Sequence, residues 1–123
     1  MDVAKTVVTI SRNIPLQLTR TELLNRAGYS VVALHSDTDV AKYLASPGRV
    51  HVNLILMCHS VPESSRVPLC KAIKNVIPDA PILMLYNGYD PTSADVDGRL
   101  ENVHSPEALL DTVQLLMSKP NAS

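Results

Sequence analysis

Val52-Asn53-Leu54-Ile55-Leu56-Met57 is apolar at every position except Asn53. A strand with one wet face alternates apolar and polar residues. A run without alternation is the pattern of a central parallel strand covered on both sides. Four further segments fit around it. Thr6-Val7-Val8-Thr9-Ile10 and Ser30-Val31-Val32-Ala33-Leu34 precede it; Ile82-Leu83-Met84-Leu85-Tyr86 and the short stretch Leu100 to Val103 follow. All are rich in β-branched or aliphatic residues, as strands are.

Helical patterns separate them. The first has Pro15 near its first turn, carries Leu16, Leu23, Leu24 and Ala27 on one face, and stops at Gly28. The second is short, capped by Asp37 or its neighbour Ser36, with Val40, Tyr43 and Leu44 before Pro47-Gly48 ends it. The third is expected to start near Pro68 and to place Leu69, Ala72, Ile73, Val76 and Ile77 at helical spacing before Pro78. From Asn87 to Gly98 apolar periodicity fades, so that crossover reads as a loop with at most a turn or two of helix, an eroded fourth helix. In the last helix Ser105 is the cap, Pro106 opens the first turn with Glu107, and Leu109, Leu110, Val113, Leu116 and Met117 face inward. Residues 119–123 form a polar tail. Strand-then-helix units with short, right-handed crossovers give an α/β domain. Its expected core is a single doubly wound five-stranded parallel sheet of flavodoxin-like order 2-1-3-4-5. No repeat or linker interrupts residues 1–123, so one domain is expected, with no output domain.

At 123 residues such a domain buries about two-thirds of its unfolded surface and needs no staples. Net charge is −1 and the basic residues are scattered, which argues against nucleic acid or an anionic membrane as a partner. No apolar run approaches the roughly 20 residues of a membrane span, and the N-terminus lacks a signal-peptide layout; a cytoplasmic location is expected. Cys58 and Cys70 have neither the number nor the spacing of a disulfide framework or metal site, and are read as reduced thiols.

In doubly wound sheets the functional crevice lies beyond the carboxyl ends of the strands, where the strand order reverses. Ser11, Arg12 and Asn13 follow the first strand, and Cys58, His59 and Ser60 follow the third. Tyr86 and Asn87 end the fourth strand, Asn102 and Val103 the fifth. The turn after the first strand has no glycine to bring backbone against a phosphate, and no Ser/His/Asp grouping stands out.

The order and spacing of Arg26-Ala27-Gly28-Tyr29, of Asn53 to Met57 leading to Pro62, of Pro81-Ile82-Leu83-Met84-Leu85 and of Ser105-Pro106-Glu107-Ala108-Leu109-Leu110 resemble the response-regulator receiver (CheY-like) family over essentially the whole chain. The resemblance implies a two-component, phosphorelay-type signalling domain, but the family's chemistry does not carry over. The acidic pair that holds Mg²⁺ in receivers corresponds to Ser11 and Arg12. The phosphoacceptor Asp corresponds to Cys58, the switch Thr or Ser to Tyr86, and the Lys that pairs with the phosphoryl group to Asn102; the switching aromatic falls near Arg99. Mg²⁺ prefers carboxylates and water, and a cation at Arg12 repels it. The expected protein is thus a degenerate receiver, a pseudo-receiver with no catalytic residue, no metal and no cofactor. It would act through protein–protein interaction, with a partner or a second copy, at a face around Arg99, Glu101 and His104.

Two other classes are kept beside it. Cys58 at a strand end near Arg12 is a candidate redox thiol, against a small apolar residue at the core's edge. A small enzyme or nucleotide binder on the same fold is the other. Tyr86 is expected to fill vacated space, and Arg12 to pair with Glu101 or Asp37 or to point into water. His35, His59 and His104 fall near strand ends without a ligand pattern, and Asp90, Asp95, Asp97 and Glu101 lack the regular positions of a calcium loop.

Overall fold

The computed structural model describes residues 5–47, 52–86, 96–101 and 106–118. In chain order they form β1 (Thr6–Ile10), α1 (Ile14–Arg26), β2 (Ser30–Leu34), α2 (Asp37–Leu44), β3 (Val52–Met57), α3 (Glu63–Val76), β4 (Ile82–Tyr86), β5 (Gly98–Glu101) and α4 (Pro106–Ser118). The strands make one sheet in the order β2-β1-β3-β4-β5, every pairing parallel. This is the doubly wound sheet expected from the sequence. The expected loop from Asn87, its eroded helix, the strand residues Asn102 and Val103, the cap Ser105 and the polar tail lie outside the described residues.

Alternation along the central strands splits the core into two layers. Val8, Ile10, Ile55, Met57, Ile82 and Met84 point to one face, where Val40 of α2 and Leu69, Cys70 and Ile73 of α3 cover them. Val7, Leu54, Leu56, Leu83 and Leu85 point to the other, under Leu24 of α1 and Leu109, Val113 and Leu116 of α4. Asn53, the one polar residue in β3, is exposed at the strand's start. Its Oδ1 accepts the Thr6 amide at 2.8 Å, where the β1–β3 register shifts between Thr6 and Val7. Among the described residues no helix is long and apolar enough to cross a membrane.

The helix caps follow local chemistry. Asn13 Oδ1 accepts the Leu16 amide at the head of α1, and Ser36, one of the two expected candidates, accepts the Asp39 amide at the head of α2. Two boundaries differ from expectation. Helix α3 begins at Glu63, not near Pro68, and contains Pro68. Its first turns are polar and show no apolar period, yet Pro62 O receives the Ser65 and Arg66 amides. The buried Arg66 ties the helix back to the preceding loop through bonds to Val61 O and His59 O, each 2.9 Å. On α3 Ala72 and Val76 face solvent, Val76 at 40% exposure. The buried stripe runs instead through Arg66, Leu69, Cys70 and Ile73.

The other boundary is β5, which starts at Gly98, two residues before Leu100. Asp97 sets that start: its amide bonds Ile82 O at 2.9 Å, and its Oδ2 accepts both the Ile82 amide and Lys74 Nζ at 2.7 Å. A Cβ on Gly98 would meet Leu116 at 3.1 Å, so the strand lies close under α4.

Gly28 closes α1 with a positive φ of 99°, its amide on Asn25 O and the next amide, Tyr29, on Leu24 O. A Cβ there would find nothing within 4 Å, so the demand on residue 28 is purely conformational. Gly28→Ala should therefore cost about 1–2 kcal/mol, read as a lower urea midpoint at unchanged m-value; an unchanged midpoint would show that the αL stop is not needed.

Candidate functional site

The ends of β1 and β3 lie side by side, Ile10 in register with Met57, and the residues beyond them are held by main-chain bonds. Cys58 N–H donates to Ile10 O at 2.9 Å and Ser11 N–H to Leu34 O at 3.1 Å. The structure thus brings Ser11, Arg12, Cys58, His59 and Ser60 together at the point where the strand order reverses.

Hydroxyl groups stitch the crevice. Ser11, fully buried, shares a 3.0 Å hydrogen bond between its Oγ and that of Ser60, and its Oγ also receives the Asn13 amide at 3.1 Å. Ser60 Oγ accepts the Arg12 amide at 2.9 Å and the Asn13 amide at 3.3 Å. Arg12 itself turns outward and pairs with Asp37, whose second oxygen accepts Ser65 Oγ at 3.1 Å. Of the three expectations for Arg12, the partner is Asp37. Both groups are solvated, so the pair orients the loop more than it stabilises it.

The cation beside Cys58 is therefore not Arg12 but Arg20, a correction to the sequence-based placement. Arg20 lies on α1 and is buried, together with Gln17 and Leu24. Its charge and hydrogen bond favour the Cys58 thiolate, as does a hydrogen bond from Ser11. Burial at 0% exposure outweighs them and pushes the thiol above its ordinary range. Gln17 is the second buried polar residue that sequence reasoning missed. Its Nε2 lies 3.1 Å from Thr9 O, 3.0 Å from Thr9 Oγ1 and 3.1 Å from Leu34 O, fastening α1 across the ends of β1 and β2. The available signal was spacing: Gln17, Arg20 and Leu24 stand three and four residues apart, one helical stripe.

Next to Cys58, His59 is half-buried, and its ring is held below the ordinary imidazole value by burial, then by the charges of Arg20 and Arg66. Asp39 is held below the usual carboxylate range, first by the His35 amide that it accepts at 3.1 Å. Tyr86 ends β4 half-buried, opposite Glu101 in the sheet register. Arg99 is exposed and Glu101 half-buried on β5, while Asn102 and His104 lie outside the described residues. Cys58 and Cys70 form no disulfide and belong to opposite core layers, so the sheet itself stands between them. Among the described residues no three of His, Cys, Asp and Glu come together as a metal site.

Two outcomes follow. Since the folded His59 takes its proton at lower pH than the unfolded chain, its contribution to stability is complete above about pH 6.5 and falls as pH drops below that value. Urea midpoints between pH 7.5 and 5 should fall less in His59→Gln than in the parent; parallel curves would remove His59 as the cause. Both thiols should resist an aromatic disulfide reagent in the native state and react on unfolding, because both are buried and burial also disfavours the Cys58 thiolate; prompt native reaction at Cys58, located by peptide mapping, would contradict its burial.

No protein-family model matches the sequence, and no curated protein sequence matches it. Solved structures do. A two-component response regulator from Clostridium difficile superposes with a TM-score of 0.81 at 18% identity, covering 96% of this chain and 99% of that one. A response regulator from Thermotoga maritima gives 0.79 at 18% identity over 95% and 100%. The Vibrio cholerae chemotaxis protein CheY4 gives 0.75 at 22% identity over 93% and 99%. The likeness is one of fold, from end to end: this chain has the CheY-like fold of response-regulator receivers.

Proposed function

We propose that this chain is a receiver-like signalling domain of the two-component type that works by binding a protein partner, independently of aspartyl phosphorylation. The observation that carries this reading is Cys58. It directly follows β3 and is fully buried, with Arg20 against it, where the resemblance to receivers calls for the phosphoacceptor carboxylate. Aspartyl phosphorylation needs a positioned carboxylate nucleophile and compensation of phosphoryl charge. The described side chains that directly follow β1 and β3 are hydroxyls, an amide, a thiol, an imidazole and a guanidinium, and the rim carboxylate Asp37 is engaged by Arg12 and Ser65.

The fold family implies Mg²⁺ here, and the residues present do not suit it. A hard dication takes carboxylate and water oxygens, whereas the nearest charge at Cys58 is the Arg20 guanidinium. The hydroxyls of Ser11 and Ser60 are already engaged with each other and with the Arg12 and Asn13 amides. Mg²⁺ therefore finds no carboxylate seat among the described residues that directly follow β1 and β3. The same bonds favour one fixed arrangement of the β1–α1 and β3–α3 loops. The candidate docking face for a partner or a second copy is the surface of β5 bearing the exposed Arg99 and the half-buried Glu101. In this reading the domain acts in the cytoplasm, where two-component receivers meet their partners.

The test is intact-mass spectrometry and amide NMR with Mg²⁺ and either a small-molecule phosphodonor or beryllofluoride. No mass adduct and no shifts around residues 11, 58 and 86 are expected; a stable adduct or shifts concentrated there would overturn the phosphorylation-independent reading.

A further inference from the structure

The sheet has two edges, and they are built differently. At one, β5 carries Arg99 and Glu101, charges of the kind that keep an edge from pairing with another chain. At the other, β2 reads Ser30-Val31-Val32-Ala33-Leu34, with no charge, no proline and no bulge in its register with β1. Ser30 N–H donates to Lys5 O, and Leu34 O accepts the Ser11 N–H. Successive residues of a parallel ladder alternate in direction, so Ser30, Val32 and Leu34 turn their main chain to β1 while Val31 and Ala33 turn theirs outward. Among the described residues no strand pairs with that outward side. The side chains leave it open as well: Ala33 is exposed, and Val31 and Val32 are half-buried.

Charge complementarity selects the occupant. Beside the start of β2 lie two exposed cations, Lys5 ahead of β1 and Arg26 at the end of α1; beyond its end stand Asp37 and Asp39 at the head of α2. The ion-pair partners Glu22 and Arg12 each cancel one of these charges, so among the described residues the start stays basic and the end acidic. We infer that β2 pairs with β2 of a second copy, antiparallel about a two-fold axis through Val32, joining the two five-stranded sheets into one. Val31 of each copy then exchanges both main-chain bonds with Ala33 of the other, the Val32 side chains meet across the axis, and the basic start of one strand lies at the acidic end of its mate. A parallel arrangement would set like ends together. A contact of β2 with β5 would be heterologous and open-ended, and would meet Arg99 and Glu101. The net charge of −1 opposes the encounter only weakly. This goes beyond the proposed function: it leaves the β5 face to a partner and does not depend on whether the domain is phosphorylated.

The test is analytical ultracentrifugation of the full chain from micromolar to millimolar concentration, with amide hydrogen exchange followed at both ends of the range. A monomer–dimer equilibrium is expected, the Val31 and Ala33 amides exchanging more slowly as dimer forms. Ala33→Pro removes an outward N–H without touching the β1 ladder and should weaken the dimer about tenfold or more, because a bond is lost on each side of the axis. Ala33→Lys, which places a charge on the edge as β5 does, should act in the same direction, and decides the matter should the proline variant not fold. Arg99→Ala should leave the dimer unchanged. A chain that stays monomeric throughout overturns the inference, including one whose edge is taken by a strand of another protein. So does a dimer that leaves the Val31 and Ala33 amides unprotected or survives the Ala33 variants. Loss of the dimer in Arg99→Ala instead would place the contact at β5 and overturn the β2 assignment, while the phosphodonor experiment stands apart from every one of these outcomes.

Discussion

A parallel sheet has no solvent side. Its strands are joined by crossovers that lay helices on both faces, so the middle strand must offer apolar side chains up and down alike. Here β3 meets that demand with Leu54 and Leu56 on one face and Ile55 and Met57 on the other, and β4 repeats it. Everything else is arranged around these two layers: α1 and α4 close one, α2 and α3 the other. The chemistry-bearing residues are left only the rim beyond the strand ends. Asn53 shows how strict the constraint is, because the one polar residue of β3 sits at its exposed start and is used there as an acceptor for β1.

That constraint explains how much could be read from sequence. A β-branched run identified β1 and continuous apolar runs β3 and β4, proline and glycine marked most helix limits, and the alternation of strand and helix with right-handed crossovers implied a parallel sheet, for which the flavodoxin-like order was the expectation. The start of α3 was hidden because Glu63-Ser64-Ser65-Arg66 has no apolar period. That helix is anchored instead by Arg66 gripping two carbonyls of the loop before it, a contact that composition and periodicity do not encode. The start of β5 was hidden for a related reason: Gly98 and Arg99 carry no strand signal, and their place is set by Asp97 binding Ile82 and Lys74, residues distant in sequence.

The site was legible in position and only partly in content. Topology places Ser11 and Cys58 side by side, as anticipated, yet the nearest cation at Cys58 comes from α1 and not from the loop. A charged residue on a helix reads as solvated by default. Arg20 and Gln17 are buried because α1 lies across the ends of β1 and β2, where main-chain carbonyls and loop side chains create polar surroundings inside the fold. Polar residues at helical spacing with a buried leucine, Gln17-Arg20-Leu24, are the trace of such a helix. The electrostatic sign of the crevice follows from them, since buried guanidinium groups depress the imidazole and oppose only partly what burial does to the thiol.

The Asp97 clamp has a consequence for how this architecture tolerates change. One carboxylate fixes the point at which the chain re-enters the sheet, gripping the first amide of β4 and a lysine of α3, while the close packing of Gly98 under Leu116 holds the strand that follows. The register of β5 is therefore set at its entrance and not by the path that leads to it. Asp97 and Gly98 make these contacts with β4, α3 and α4, so the place of the last strand rests on elements other than its own crossover.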